Sequence, residues 1–346
     1  LRKWLGFPTT SELLSAYFVL HLVDVCGGNL NVLLLRGVWR PYKEIKAASS
    51  SSSKYLDRQS GLNAIVDFLC DLLPLAHGEE PTTAIQQLVT SDADRFSPFR
   101  NLAPTRSVVM GSEGPYHPAN VRKPGAFASC VINRALTFNT PAVKSHGNPT
   151  LFSNEGEWEA FKVARNFVNN EPQSMAYFFN MTCYGTAQGT RYNGMRDIDV
   201  YFAAEGDWNK LLLDCGGKVP FTRFFKWAKQ QSRLPQVGML TAFLLAADLS
   251  YSGVVEPPST EEVGVIIHKN HLGSLSGLVD TGQVSGKDAS QEEVVRAFQE
   301  LLEYLQETIT QEDQDLIGLD AIMVEHLLCK FQRVRRELPS FKGKAR

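Results

Sequence analysis

Asp197 and Asp199 stand two residues apart in CYGTAQGTRYNGMRDIDVYF, residues 183–202, after a glycine-rich turn. On a β-strand, side chains at i and i+2 share a face. That spacing puts Asp197, Asp199 and Tyr201 on one side and turns Ile198, Val200 and Phe202 toward the core. Two adjacent carboxylates raise each other's cost of ionisation. A divalent cation between them removes that cost, and magnesium takes one or two carboxylates together with substrate phosphates. The pattern fits a metal–nucleotide site with Mg2+ as cofactor, beside a loop of free backbone N–H groups. A plain antiparallel hairpin is the competing reading. The pair Asn193-Gly194 suits a two-residue turn, and the aspartates then face solvent or pair with Arg191 and Arg196.

Tyr184-Gly185-Thr186 followed by Asp197-Ile198-Asp199-Val200 resembles the nucleotidyltransferase superfamily, the polymerase-beta-like enzymes. Its members carry a strand ending in glycine and a small residue, then an acidic–apolar–acidic strand. The resemblance spans residues 155–204 and includes the preceding helix and strand in order. It implies that Asp197 and Asp199 hold metal ions and that Gly185 and Thr186 position a triphosphate. The metals then activate an attacking hydroxyl and stabilise the leaving pyrophosphate. The chain departs from the family in two places. AQGTRYNGMR, residues 187–196, contains Gly189 and Asn193-Gly194 where the family has a short helix. Many members add a third carboxylate on a neighbouring strand. Asp214 fills that place if residues 211–215 form a strand, but DWNKLLLD also has helical spacing.

A second candidate is FTRFFKWAKQQSR, which spaces Arg223, Lys226, Lys229 and Arg233 at helical intervals with Phe224, Phe225 and Trp227 between them. Positive charge with aromatic rings suits nucleotide or nucleic-acid contact. The competing reading is an amphipathic helix with a solvated basic face and its aromatics in the core. Lys218, after Gly216-Gly217, is a further candidate to meet a phosphate. VDTG, residues 279–282, matches an aspartic-protease signature but has no second copy, and reads as a loop. His268 and His271 lie near one helical face without a third ligand. The six cysteines show no zinc-type spacing and read as buried, reduced thiols. Motifs for NAD, flavin or P-loop phosphate binding are missing, so haem, flavin, NAD and zinc are not expected.

The elements that position these residues read as an α+β fold. Residues 1–90 are expected to be a helical subdomain, with the apolar run at 13–26 as a core helix and the serines at 49–53 as a solvated connector. SGLNAIVDFLCDLL places Leu62, Ile65, Phe68, Leu69 and Leu72 on one helical face. Residues 91–125, rich in proline and glycine, read as an irregular connector. An α+β domain is expected over 126–346, with a small, mainly antiparallel sheet at about 126–215 and helices at about 220–338. FASCVINRALTF, MAYFFNMTCYG and DIDVYF are its strands. QVGMLTAFLLAADLSYSG reads as a central buried helix ending at Gly253. Capping patterns at Ser259/Glu262 and Ser290/Glu293 open two later helices.

The formal net charge of -2 gives no overall field for nucleic acid or an anionic membrane. No apolar run reaches the ~20 residues of a spanning helix. An intracellular protein, cytoplasmic or nuclear, is expected. The chain begins with Leu1 rather than methionine, which reads as a fragment, a processed form or a misassigned start. Two classes of function follow: metal-dependent nucleotidyl transfer (or an inactive relative), and a non-catalytic binding or scaffolding protein.

Overall fold

A computed structural model describes residues 56–165, 167–168, 171–172, 175–180, 199–230, 234–235 and 237–338. The expected helix at 13–26, the serine run, Gly185, Thr186, Asp197 and Arg233 lie outside the described residues.

The described residues are predominantly helical. In chain order they form α1 (Arg58–Ala76), α2 (Ala84–Ser91), α3 (Ala93–Phe96), a 3-10 turn (Arg100–Leu102) and α4 (Pro104–Met110). Then come α5 (Ala126–Ile132), a π-helical turn (Asn133–Thr137), α6 (Pro141–Lys144), α7 (Glu155–Arg165) and α8 (Met175–Phe178). The second half carries α9 (Asp199–Ala203), α10 (Glu205–Asp214), α11 (Phe221–Ala228), α12 (Met239–Tyr251) and α13 (Thr260–Asn270). It ends with α14 (Gly273–Asp280), α15 (Gln291–Thr308), α16 (Gln311–Ile317) and α17 (Ala321–Glu337). No described helix is long and apolar enough to cross a membrane.

The expected α+β class, with a sheet over 126–215, is corrected by this architecture. Extended pairing among the described residues is limited to Phe167–Val168 against Glu171–Pro172 and one bridge, Val219 to Val255. FASCVINRALTF is α5 and the π-helical turn. Every residue from Ala126 to Ile132 is buried, so the helix has no polar face to betray its period. A short apolar run buried all round looks the same in a helix and a strand. Within MAYFFNMTCYG, Met175–Phe178 is a helical turn, and DIDVYF enters α9 at Asp199. Residues 91–125 carry three short helical pieces, α4 opening on Pro104 at its first position, where a missing N–H costs nothing.

Where local chemistry was strong, the helices form as their sequences dictate. Asp57 caps α1 by accepting Ser60 N–H at 3.0 Å, and Ile65, Phe68, Leu69 and Leu72 are buried. Ser259 and Glu262 make a complete capping box at the start of α13. Ser290 caps α15 through Glu293 N–H at 3.2 Å. The Glu293 carboxylate, however, accepts from Ser285 N–H at 2.6 Å instead of closing the box. VDTG is not a loop: Asp280 ends α14 and Thr281 is buried against α1.

The buried apolar side chains form one continuous cluster from α1 to α17. Its axis is α12, in which all ten residues from Thr241 to Ser250 are buried. The helix stops where Gly253 takes φ +80. α13 packs on α15, and α14 on α17. α3 and α17 are joined by Lys330, whose ammonium donates to the carbonyls of Asp94 and Arg95 at 2.7 and 2.8 Å. The outcome is a helical frame in which α4, the π-helical turn, α12 and α17 face one interior space.

Candidate functional site

Of the residues singled out for metal chemistry, Asp199 and Asp214 are described, whereas Asp197, Gly185 and Thr186 lie outside the described residues. Asp199 is exposed at the first position of α9, a helix and not a strand. Asp214 is exposed at the end of α10, where it takes the Lys210 ammonium at 2.9 Å, an i,i+4 helix pair. No described group of three His, Cys, Asp or Glu is arranged to hold a metal ion. The acidic strand that the magnesium expectation required is therefore a helix start at Asp199, and that expectation is not carried further.

The basic helix divides as an amphipathic helix must. Arg223, Lys226 and Lys229 are exposed on α11, and Lys218 is exposed just before it. Phe224 and Trp227 are buried, joining Phe127 and Trp208, whose rings stack at 4.9 Å. The rings hold the core, which leaves no aromatic platform on that face for stacking bases.

The chemistry is concentrated elsewhere, around Asp248. This residue sits in the middle of α12, fully buried in an otherwise apolar run. Three arginines from three other elements converge on its carboxylate. Arg100, on the 3-10 turn, donates to Oδ1 at 2.7 Å and to the Leu244 carbonyl at 3.2 Å. Arg106, on α4, donates through Nε to Oδ1 at 2.9 Å and through Nη1 to Asn101 at 2.7 Å. Arg134, in the π-helical turn, bonds Oδ2. Each arginine is only 3% exposed. Cation–π contacts add to their positioning: Arg106 lies 4.6 Å over Tyr251 and Arg134 lies 4.5 Å over Phe138.

The electrostatics are unbalanced. Burial alone pushes Asp248 up, but Arg134, Arg100 and Arg106 overcome it and hold the carboxyl well below its ordinary range. One carboxylate thus faces three guanidiniums. Two further acids are Asp320, which accepts from the Tyr251 hydroxyl at 2.9 Å, and Glu325, which accepts from the Ser274 hydroxyl at 2.9 Å. Burial raises both carboxyls above their ordinary values. Burial also lowers Arg106, against the pull of Asp248. Arg100 Nε and Arg106 Nη2 have no acceptor among the described residues.

These arginines line a cavity of about 830 Å³, within the range of small-molecule pockets. Its other wall is α17, which contributes His326, Cys329 and Lys330, and then the exposed Arg333 and Arg336. Burial first, then Lys330 and the three arginines, push His326 well below its usual range. Burial and Glu325 push the Cys329 thiol up. Both groups are uncharged at neutral pH. Ala103, Phe138 and Leu244 add an apolar lining, and Asn180 lines the same space while donating to the Phe138 carbonyl at 2.7 Å.

Asp199, Asp214, Lys218 and the basic residues of α11 do not line this cavity. Sequence reasoning missed its residues, although one signal was present: Asp248 is the lone charge in MLTAFLLAADLSY. A charge in an all-buried helix demands partners of opposite sign. Comparison of the chain with family models, with curated proteins and with solved structures found no match.

Proposed function

We propose that the protein is a binding protein for a small anion held in the arginine-lined cavity beside α12. The observation that carries this reading is the convergence of Arg100, Arg106 and Arg134 on the single carboxylate of Asp248. Buried cations are tolerated when paired and hydrogen-bonded, and an uncompensated buried charge costs about 3–5 kcal/mol. Arg100 and Arg106 share that one carboxylate, and an added anion beside them supplies further negative charge. Guanidinium groups present planar, forked donors that match phosphate and carboxylate oxygens. Arg100 Nε and Arg106 Nη2 are buried without an acceptor among the described residues.

The test is thermal unfolding with phosphate, sulfate and chloride at matched ionic strength. Phosphate or sulfate should raise the midpoint, with the rise following the logarithm of concentration above Kd, as a ligand that binds only the folded state does. Chloride should not reproduce it. Arg106→Gln should abolish the effect, with Arg100→Lys as the milder variant if the first folds poorly. Equal response to all three salts would overturn the reading.

A further inference from the structure

The cavity's cations fall into two sets along α17. His326, Cys329, Lys330, Arg333 and Arg336 recur at helical intervals of three and four, so they form one stripe. From His326 to Arg336 is ten residues, or about 15 Å at the helical rise. At the inner end, buried Arg100 and Arg106 surround Asp248. At the outer end, Arg333 and Arg336 are exposed, neither is in an ion pair among the described residues, and Arg333 donates to the Arg95 carbonyl at 3.0 Å. The acids near that end are already engaged. Glu337 is paired with Arg95 at 2.8 Å, and Asp94 is paired with Lys144 at 2.9 Å and accepts from the Thr105 hydroxyl at 2.8 Å. Asp92 caps α3 through Arg95 N–H. Between the two sets the wall is formed by His326, Cys329, Phe138 and Leu244, together with Lys330, whose ammonium is held by the carbonyls of Asp94 and Arg95.

A single inorganic anion is too small to touch both ends of such a stripe. Resting on the anion-binding reading above, we propose that the ligand is a small organic bisphosphate. One phosphate sits on Arg100 and Arg106 at the inner end, the other on Arg333 and Arg336 at the outer end, with an uncharged body between. The phosphates take the charge-assisted, forked hydrogen bonds for which arginine is suited. The body lies against His326, Cys329, Phe138 and Leu244. Tethering the two phosphates makes the second contact intramolecular, which raises affinity without any new kind of interaction.

Isothermal titration with a series of linear alkanediol bisphosphates tests this, against inorganic phosphate and the matching alkyl monophosphates. The full chain is used throughout. At one chain length the bisphosphate should bind at least about tenfold more tightly than its monophosphate, a difference of about 1.4 kcal/mol. Arg333→Gln/Arg336→Gln should bring each bisphosphate down to the affinity of its monophosphate, with inorganic phosphate still bound at the inner arginines. Both residues are exposed, so this variant should keep the parent's thermal midpoint. If phosphate binds but no bisphosphate binds more tightly, the two-ended ligand is overturned and the anion-binding reading stands. An advantage that survives loss of both outer arginines also overturns it. If neither phosphate nor any bisphosphate binds, both readings fall.

Discussion

Arg106 Nε donates to Asp248 Oδ1 at 2.9 Å between two side chains that are 3% and 0% exposed. The pair joins α4 to the middle of α12 across the interior of the protein. Its energetics differ from those of a surface salt bridge, because water screens neither charge. The fold is built around this contact, and the same contact leaves an excess of positive charge beside a cavity.

Asp248→Asn keeps the shape of the side chain and removes its charge. The guanidiniums of Arg100, Arg106 and Arg134 then lose that carboxylate, and the loss should be about 3–5 kcal/mol, more than a neutral hydrogen bond is worth. Urea unfolding midpoints measure it. Because the folded-state pKa of Asp248 lies below its ordinary value of 3.8, its stabilisation is present above that pH and is lost as pH falls below it. Pairing the change with Arg106→Gln should cost less than the sum of the two single changes, since each leaves the other's charge exposed. Simple additivity would show that the two side chains are energetically independent.

Much of the helical frame was legible in the sequence. The caps at Ser259 and Ser290, the buried face of α1 and the all-apolar α12 follow from residue types and a period of 3.6. The middle of the chain was not legible. α5 reads as a strand because Ala126 to Ile132 are buried on every side, and periodicity disappears when there is no solvent face. The candidate site was hidden for a different reason. Arg100, Arg106, Arg134 and Asp248 are spread over more than a hundred residues, and only tertiary packing brings them together. A spacing motif cannot encode a site assembled from four separate elements, whereas Asp197 and Asp199 are adjacent in sequence and invite a local reading.

Glu325→Gln isolates a second buried acid. Burial raises the Glu325 carboxyl above its ordinary 4.5. A group with a raised folded-state pKa contributes fully below its unfolded value, and that contribution is lost as pH rises through the folded value. Glutamine keeps an acceptor for the Ser274 hydroxyl, which donates at 2.9 Å, and carries no titrating proton. The stability of Glu325→Gln relative to the parent should therefore improve from pH 4.5 upward. Unfolding free energies measured from pH 4 to 8 check the sign, and a constant difference across that range would rule out the assignment.

Gly125→Ala tests how tightly α5 is inserted. Gly125 takes φ +74, and a Cβ there would stand 1.9 Å from the Phe152 carbonyl oxygen. Its N–H also donates to Glu205 at 2.9 Å, tying α5 to α10. Left-handed backbone alone costs a non-glycine residue about 1 kcal/mol or more. The clash is with backbone, which cannot rotate away, so the total should reach about 3 kcal/mol, in the range of other core overpacking. Chemical denaturation of the variant reads this directly, and a loss under 1 kcal/mol would mean that the Phe152 segment moves aside.

The two faces of α11 should behave oppositely. Phe224 is fully buried, edge-on to Trp208 at 5.4 Å and to Phe127 at 6.4 Å. Phe224→Ala removes a large side chain from a packed aromatic cluster and should cost about 3–5 kcal/mol. Arg223, Lys226 and Lys229 are exposed on the same helix, and changing all three to glutamine should alter stability by no more than about 0.5 kcal/mol. The basic residues of α11 do not line the arginine cavity, so the triple variant should also keep the parent's phosphate response. If the triple variant loses that response while its urea midpoint is unchanged, the anion is held on the surface of α11, and the arginines around Asp248 are a purely structural cluster.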